Sequence, residues 1–321
     1  MNIEFLIQNI NNGRTFDIGE LASNIEWSTD VDFQPGKFTF NLLQHNDVSV
    51  SEGDIIRFKF EGRNIFYGRV FKKAKSEGLW SITAYDRLRY LQNTDTVVFG
   101  ALPSHEVFTH ICRLNNLPFR IVNASRYSCT PAIQDKKSYF AMIQDALDQT
   151  LVNHGLWYII RDNFGTLEHI SLNSLITSLV IGDLSMATSY SYESSIDDSY
   201  NVVKLSMENK ETNKREVYLV RDSSLETKWG KLQYHESVNG DLNPAQIASQ
   251  ANKMLQALKV VNKTFRIDCL GVKEISAGSG IVLQFKDLES EGLGKPKLAI
   301  VSKCTHSWGK THEMSIDLKV V

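Results

Sequence analysis

Gly53-Asp-Ile-Ile-Arg-Phe-Lys-Phe-Glu-Gly-Arg-Asn-Ile-Phe-Tyr-Gly-Arg-Val-Phe71, running on to Thr83-Ala-Tyr-Asp-Arg-Leu-Arg-Tyr-Leu91, sets the architecture of the chain. Its apolar and polar residues alternate in three runs, separated by Glu61-Gly62 and Glu77-Gly78, which predicts three strands joined by tight turns. Ile56, Phe58 and Phe60 face one way and Arg57, Lys59 and Glu61 the other, because successive strand side chains alternate. A meander with one apolar face must roll up or meet a second sheet to bury it. The stretch therefore reads as part of a small β-barrel.

Upstream, Asn2-Leu6 and Thr15-Ile18 flank Asn11-Asn12-Gly13, an Asn-Gly hairpin signal. Ile25-Val31 and Lys37-Leu43 flank the turn residues Gln34-Pro35-Gly36. Downstream of Gly100 the period changes. Ser104 is placed to cap a helix carrying Val107, Phe108, Ile111 and Cys112, and Asn115-Asn116-Leu117-Pro118 ends it. A second helix starts near Ser138 and stops at His154-Gly155, and a hairpin follows around Asp162-Asn163-Phe164-Gly165. From about Ser189 the strand pattern returns. Val202-Met207 and Arg215-Val220 flank a polar turn at Asn209-Asn213. Then comes a long amphipathic helix with Asn243 as cap, Pro244 at its first position and Gln246 completing a capping box. Its stripe is Ile247, Ala251, Met254, Leu255 and Leu258. Phe265-Leu270, Gly280-Phe285, Leu298-Trp308 and His312-Val320 are four more strands. The expected fold is α+β and β-dominated: two tube-type β-barrel domains (1–99 and 189–321), a small α+β domain between them (100–188), and a helix at about 243–260 inserted in the second β region.

With 321 residues the chain can bury more than one core, and 42% hydrophobic and 22% charged residues are ordinary for a globular protein. A formal net charge of -2 gives no reason to expect specific nucleic-acid binding. No apolar run approaches the roughly 20 residues of a membrane helix, so no membrane insertion is expected. The first residues lack the basic start and small-residue cleavage site of a secretory signal, which predicts synthesis in the cytoplasm. Cys112, Cys129, Cys269 and Cys304 are widely spaced and read as free, mostly buried thiols.

The one metal-like constellation is Cys304-x-His306 with His312 across the final turn. A structural zinc wants four ligands and no fourth is evident, so the alternative is an aromatic and sulfur cluster with Trp308 and Met314. No Gly-x-Ser-x-Gly elbow, His-Glu-x-x-His motif or phosphate loop occurs, and Gly278-Ser279-Gly280 is followed by a strand rather than a helix. No cofactor and no catalytic residue is expected. Arg69, Lys72, Lys73 and Lys75 lie on one strand and form a candidate subunit-contact face.

Four stretches stand in order: Glu52-Gly53-Asp54 through Tyr67-Gly68-Arg69 to Tyr85-Asp86-Arg87-Leu88-Arg89-Tyr90-Leu91, Asp198-Ser199-Tyr200-Asn201-Val202, Trp229-Gly230-Lys231 with Asn243-Pro244-Ala245-Gln246, and Cys304-Thr305-His306-Ser307-Trp308 with His312-Glu313-Met314. Together they resemble the XkdQ/YqbQ-type hub proteins of contractile phage tails and phage-tail-like particles. Such hubs are similar to the tail-hub superfamily that includes late control protein D. The resemblance implies a non-enzymatic homotrimer in which two barrels per subunit make a six-barrel ring. That ring joins the hexameric tail tube, or a tube-initiator protein, to the trimeric central spike. It also implies a tape measure protein, LysM-bearing proteins and baseplate wedge proteins as neighbours, and residence in the tail baseplate of a prophage, phage or phage-tail-like bacteriocin. DNA would pass through the channel in a phage. Because the chain stops just after its last strand, a wall-degrading activity is expected on a separate protein. The alternatives to the hub are a baseplate-associated cell-wall hydrolase and a glycan-binding module.

Overall fold

The computed structural model of the chain describes residues 2–183, 185–209, 214–238 and 243–320. They form two compact units, Met1–Ser191 with Arg266–Val321, and Tyr192–Phe265.

The larger unit begins with β1 (Ile3–Gln8), β2 (Thr15–Asp17), β3 (Ala22–Asp30), β4 (Lys37–Leu43), β5 (Ile55–Phe60), β6 (Arg63–Ser76) and β7 (Leu79–Tyr85). The alternation in β5 is realised: Ile56, Phe58 and Phe60 are buried while Arg57 and Lys59 are only half-buried. Glu61 and Gly62 have φ of 47° and 75°, and Glu77 and Gly78 have 28° and 80°. Positive φ at both central residues gives the turn whose twist matches paired strands, so these two dipeptides fix the β5–β6 and β6–β7 registers. The meander closes over Phe5, Phe38, Phe40, Phe58 and Phe66, all essentially inaccessible. Their rings meet edge-on or stacked, with Phe5 and Phe40 at 4.8 Å and Phe38 and Phe66 at 4.7 Å. Each such burial contributes about 1.5–3 kcal/mol, so this aromatic cluster is the main reason the meander holds its curvature.

A 3-10 helix, Arg87–Gln92, leads into an α+β segment of β8 (Thr94–Phe99), α1 (Ser104–Leu114), β9 (Phe119–Ile121), β10 (Ala132–Ser138), α2 (Tyr139–His154), β11 (Tyr158–Asn163) and β12 (Thr166–Ser171). The expected boundary at 99/100 falls elsewhere. β8 pairs with β10, and Leu88, Leu91, Val97 and Phe99 join the core beneath α1 and α2. The segment therefore starts near Arg87. Ser104 is not the cap of α1: Pro103 holds that position, and the Ser104 hydroxyl is committed to Ser125 and His169 instead. α2 follows expectation, with the Ser138 hydroxyl accepting from the Ala141 N–H and Gly155 left-handed at φ 68°.

The expected 188/189 boundary also moves. β13 (Ile176–Gly182) pairs with β19 (Gly280–Gln284), so it belongs with the later strands β14 (Ala187–Ser195), β18 (Asn262–Leu270), β20 (Lys297–Trp308) and β21 (His312–Val320). Those strands do not form a sheet of their own. β20 pairs antiparallel with β3, from Lys303 opposite Asp30 to Trp308 opposite Ile25. The result is a 13-stranded sheet with the path β14-β18-β21-β20-β3-β4-β7-β6-β5-β1-β2, plus β19 on β20 and β13 on β19. The early and late β regions are thus continuous.

The smaller unit carries β15 (Val202–Asn209), β16 (Lys214–Arg221), α3 (Ser223–Trp229), β17 (Gln233–Ser237) and α4 (Pro244–Leu258). The inserted element is thus a three-stranded sheet with two helices rather than a helix alone. The polar turn expected at Asn209-Asn213 runs beyond the described residues after Asn209. Both halves of the predicted capping box form, each at 2.9 Å, and Ile247, Ala251 and Leu255 pack on Val203, Leu205 and Met207. All four cysteines are free and buried. No helix among the described residues is long and apolar enough to cross a membrane.

Candidate functional site

Cys304, His306 and His312 are brought together, as strand alternation on β20 and pairing with β21 require. Their polar atoms, however, face one another in series. The Cys304 Sγ lies 3.2 Å from His306 Nε2, and His306 Nδ1 lies 2.9 Å from His312 Nε2. His306 Nε2 is also 2.8 Å from the Ile275 carbonyl oxygen, which can only accept, so this nitrogen carries the proton and Nδ1 accepts from His312. Both ring nitrogens of His306 are then engaged, which leaves it no lone pair for a metal. Trp27 and Trp308 stack on the His306 ring at 5.5 and 5.6 Å, and Trp308 lies nearly parallel to His312 at 5.0 Å. Burial pushes the Cys304 thiol far up and His306 down to about 4. The cluster is a buried, neutral, stacked hydrogen-bond chain.

Arg69, Lys72, Lys73 and Lys75 all lie on β6, but they do not share a face. The β6–β7 register shifts between Val70 and Lys72, so that Phe71 bulges. Arg69 and Lys72 stand opposite Tyr85 and Thr83, whereas Lys73 and Lys75 stand opposite Ile82 and Trp80 on the other side of the sheet. Lys73 and Lys75 each lie 5.5 Å from the Trp80 ring, and Lys73 Nζ donates to the Val50 carbonyl at 2.8 Å. The expected single basic face is therefore two pairs.

The structure also joins residues that sequence reading kept apart. Asp86 caps the 3-10 helix by accepting from the Leu88 N–H at 3.0 Å, and it accepts from the Gly36 N–H at 2.9 Å. Burial, with nearby Asp162, drives its pKa well above the usual carboxylate range. Asp162 accepts from the N–H groups of Arg87 and Gly165, and burial lifts it to about 6. Beside Asp86 opens a cavity of about 380 Å³ between the middle of β6, the end of β7, the 3-10 helix and the loop after α1. Tyr85, Arg87 and Tyr90 were visible as one short motif. The loop Asn115–Pro118 was legible only as a helix stop, and nothing in the sequence pairs it with that motif.

A second polar network lies under α1. His169 Nδ1 sits 2.8 Å from the Asn123 carbonyl and Nε2 sits 3.1 Å from the Ser104 hydroxyl, which is 2.8 Å from Ser125. Ser104 and His169 are a hydroxyl beside a potential base, but both are fully buried. They serve as an internal tie rather than a nucleophile open to substrate.

A family model described as YQBQ-like matches residues 25–319. The chain is 31% identical over 278 residues to the uncharacterized protein YqbQ of Bacillus subtilis (strain 168), covering 85% of this chain and 83% of YqbQ. It is 29% identical over 274 residues to the phage-like element PBSX protein XkdQ of the same strain, covering 84% and 82%. Among solved structures it resembles the prophage MuSo2 43 kDa tail protein from Shewanella oneidensis, with a TM-score of 0.69, 12% identity and 98% coverage of each chain.

Proposed function

The chain belongs to the YqbQ-like family, and from that membership we propose that it is a structural protein of a phage-type tail baseplate, specifically the trimeric hub of a contractile tail. The observation that carries this reading is the family match, which takes in both β regions, the α+β segment and the inserted unit. The name of XkdQ assigns that relative to a phage-like element, and the fold likeness to a prophage tail protein supports the same class.

In this reading the two β regions, residues 2–85 and residues 176–195 with 262–320, act as the two tube-type modules that each subunit contributes. Three subunits supply six, which matches a hexameric tail tube on one side and a trimeric spike on the other. Tape measure, LysM-bearing and wedge proteins are its neighbours in the assembled particle, which is built in the bacterial cytoplasm. Arg69 and Lys72, on one face of β6, are candidate subunit contacts; Lys73 and Lys75 belong to a different surface. The chain has no catalytic role here. Native mass spectrometry of the co-expressed hub and spike tests the proposal. Three hubs per spike trimer are expected, and any other ratio overturns the adapter role.

A further inference from the structure

The cavity outside Asp86 has a composition that a purely structural joint does not need. Its walls bring together Tyr67, Tyr85 and Tyr90, two arginines, Arg69 and Arg87, and the amide of Asn116. Arg87 lies over the Tyr67 ring at 5.3 Å, and Arg69 Nη1 donates to the Gly53 carbonyl at 2.8 Å. Those contacts orient both guanidiniums while leaving most of their N–H groups uncommitted. Neither makes an ion pair among the described residues. Asp86 is turned inward, its two oxygens taken by backbone N–H groups. Arg87 feels the Asp162 carboxylate electrostatically but is not ion-paired to it, so the two guanidiniums of this half-enclosed cavity leave a positive potential with room for an anion.

We propose that this cavity is a docking site for an acidic peptide motif of a partner polypeptide, in which an Asp or Glu carboxylate sits between Arg69 and Arg87 and an adjacent apolar side chain rests on Phe71. Phe71 is 37% exposed, because the bulge in β6 turns it outward. Tyr85 and Tyr90, both cavity walls, flank its ring at 5.5 and 6.3 Å, and Arg89 lies over it at 5.4 Å. A charged socket beside an aromatic shelf suits two consecutive residues, one acidic and one apolar. The planar guanidiniums match a carboxylate in bidentate fashion. Gly68 lines the cavity where β6 crosses Tyr85; a Cβ there would fall 2.3 Å from the Tyr85 carbonyl oxygen, so the wall holds its shape only with glycine. Arg69 is exposed in the single chain, so the isolated chain should bind.

The test is a fluorescence anisotropy titration of the full chain with a labelled Glu-Phe peptide in a Gly-Ser context. Matched Gln-Phe and phosphoserine-Phe peptides and a glucuronic-acid oligosaccharide are titrated alongside. Saturable binding of the Glu-Phe peptide is expected, weaker by about tenfold or more for Gln-Phe. Arg87→Gln, which keeps a polar planar group over Tyr67, and Arg69→Gln, at an exposed position, should each reduce Glu-Phe binding to the Gln-Phe level with an unchanged circular dichroism spectrum. Equal binding of the Glu and Gln peptides, an unaltered affinity in both variants, no binding at millimolar peptide, or tighter binding of the phosphopeptide or the sugar acid would each overturn the proposal.

Discussion

Acidification should weaken the fold through His306, by an amount the structure sets. His306 is 1% exposed, and burial lowers its pKa from 6.5 to about 4. A base whose folded pKa lies below its unfolded one adds stability that is complete above the unfolded value. That stability drains away as pH falls through 6.5 toward 4. The full difference corresponds to about 3 kcal/mol, of which about 2 kcal/mol is gone by about pH 5. Asp162, lifted to about 6, acts in the opposite direction over part of this range, so the raw pH profile mixes two signs. His306→Gln separates them, because glutamine does not titrate. Urea unfolding followed by tryptophan fluorescence reports on the site directly, since Trp27 and Trp308 stack on the imidazole. The variant should be less stable than the parent near neutral pH, and the gap should close by about 2 kcal/mol between about pH 7 and about pH 5. A constant gap, or an imidazole signal from His306 titrating near its ordinary value, would refute the argument.

Three further outcomes follow from packing. Gly68→Ala places a methyl 2.3 Å from the Tyr85 carbonyl and 2.4 Å from the Phe66 ring; the variant should lose about 1–3 kcal/mol, read as a lower thermal midpoint. Asp86→Ala orphans the Gly36 and Leu88 N–H groups while Asp86→Asn keeps one acceptor, so urea melts should rank parent, Asn, then Ala, with steps of about 1 kcal/mol. Leu255→Pro breaks α4 where Leu255 is buried against β15, at about 3 kcal/mol or more; limited proteolysis should then cut within residues 192–265, and a variant that resists cleavage and assembles normally would show α4 to be dispensable.

Local structure was legible wherever the determining chemistry is itself local. The Glu61-Gly62 and Glu77-Gly78 turns, the α4 capping box and the Gly155 stop each depend on residues within a few positions of one another, and each formed. One local expectation failed, the Ser104 cap, because Ser125 and His169 hold its hydroxyl; the other errors came from long-range pairing. Thr94–Phe99 has a strand pattern, but nothing within it says that its partner is Ala132–Ser138 rather than the meander. The β20–β3 join is likewise invisible, since the alternation in each strand specifies a face and not a neighbour. At the sites the same division holds. The Cys304–His306 proximity follows from strand alternation, and alternation alone already sets Lys72 apart from the other three basic residues; that Arg69 joins it turns on a single bulge at Phe71 that no residue type announces.

The β20–β3 pairing also sets a timetable for biogenesis. Cys304 lies opposite Thr29, so the edge of β3 leaves the ribosome long before the strand that covers it. At about 5–20 residues per second that edge stays open for on the order of tens of seconds. During that interval the early meander carries a strand edge able to pair with another nascent chain. Slow translation or a truncated message should therefore promote insoluble product, and a holdase present through synthesis should raise the soluble yield.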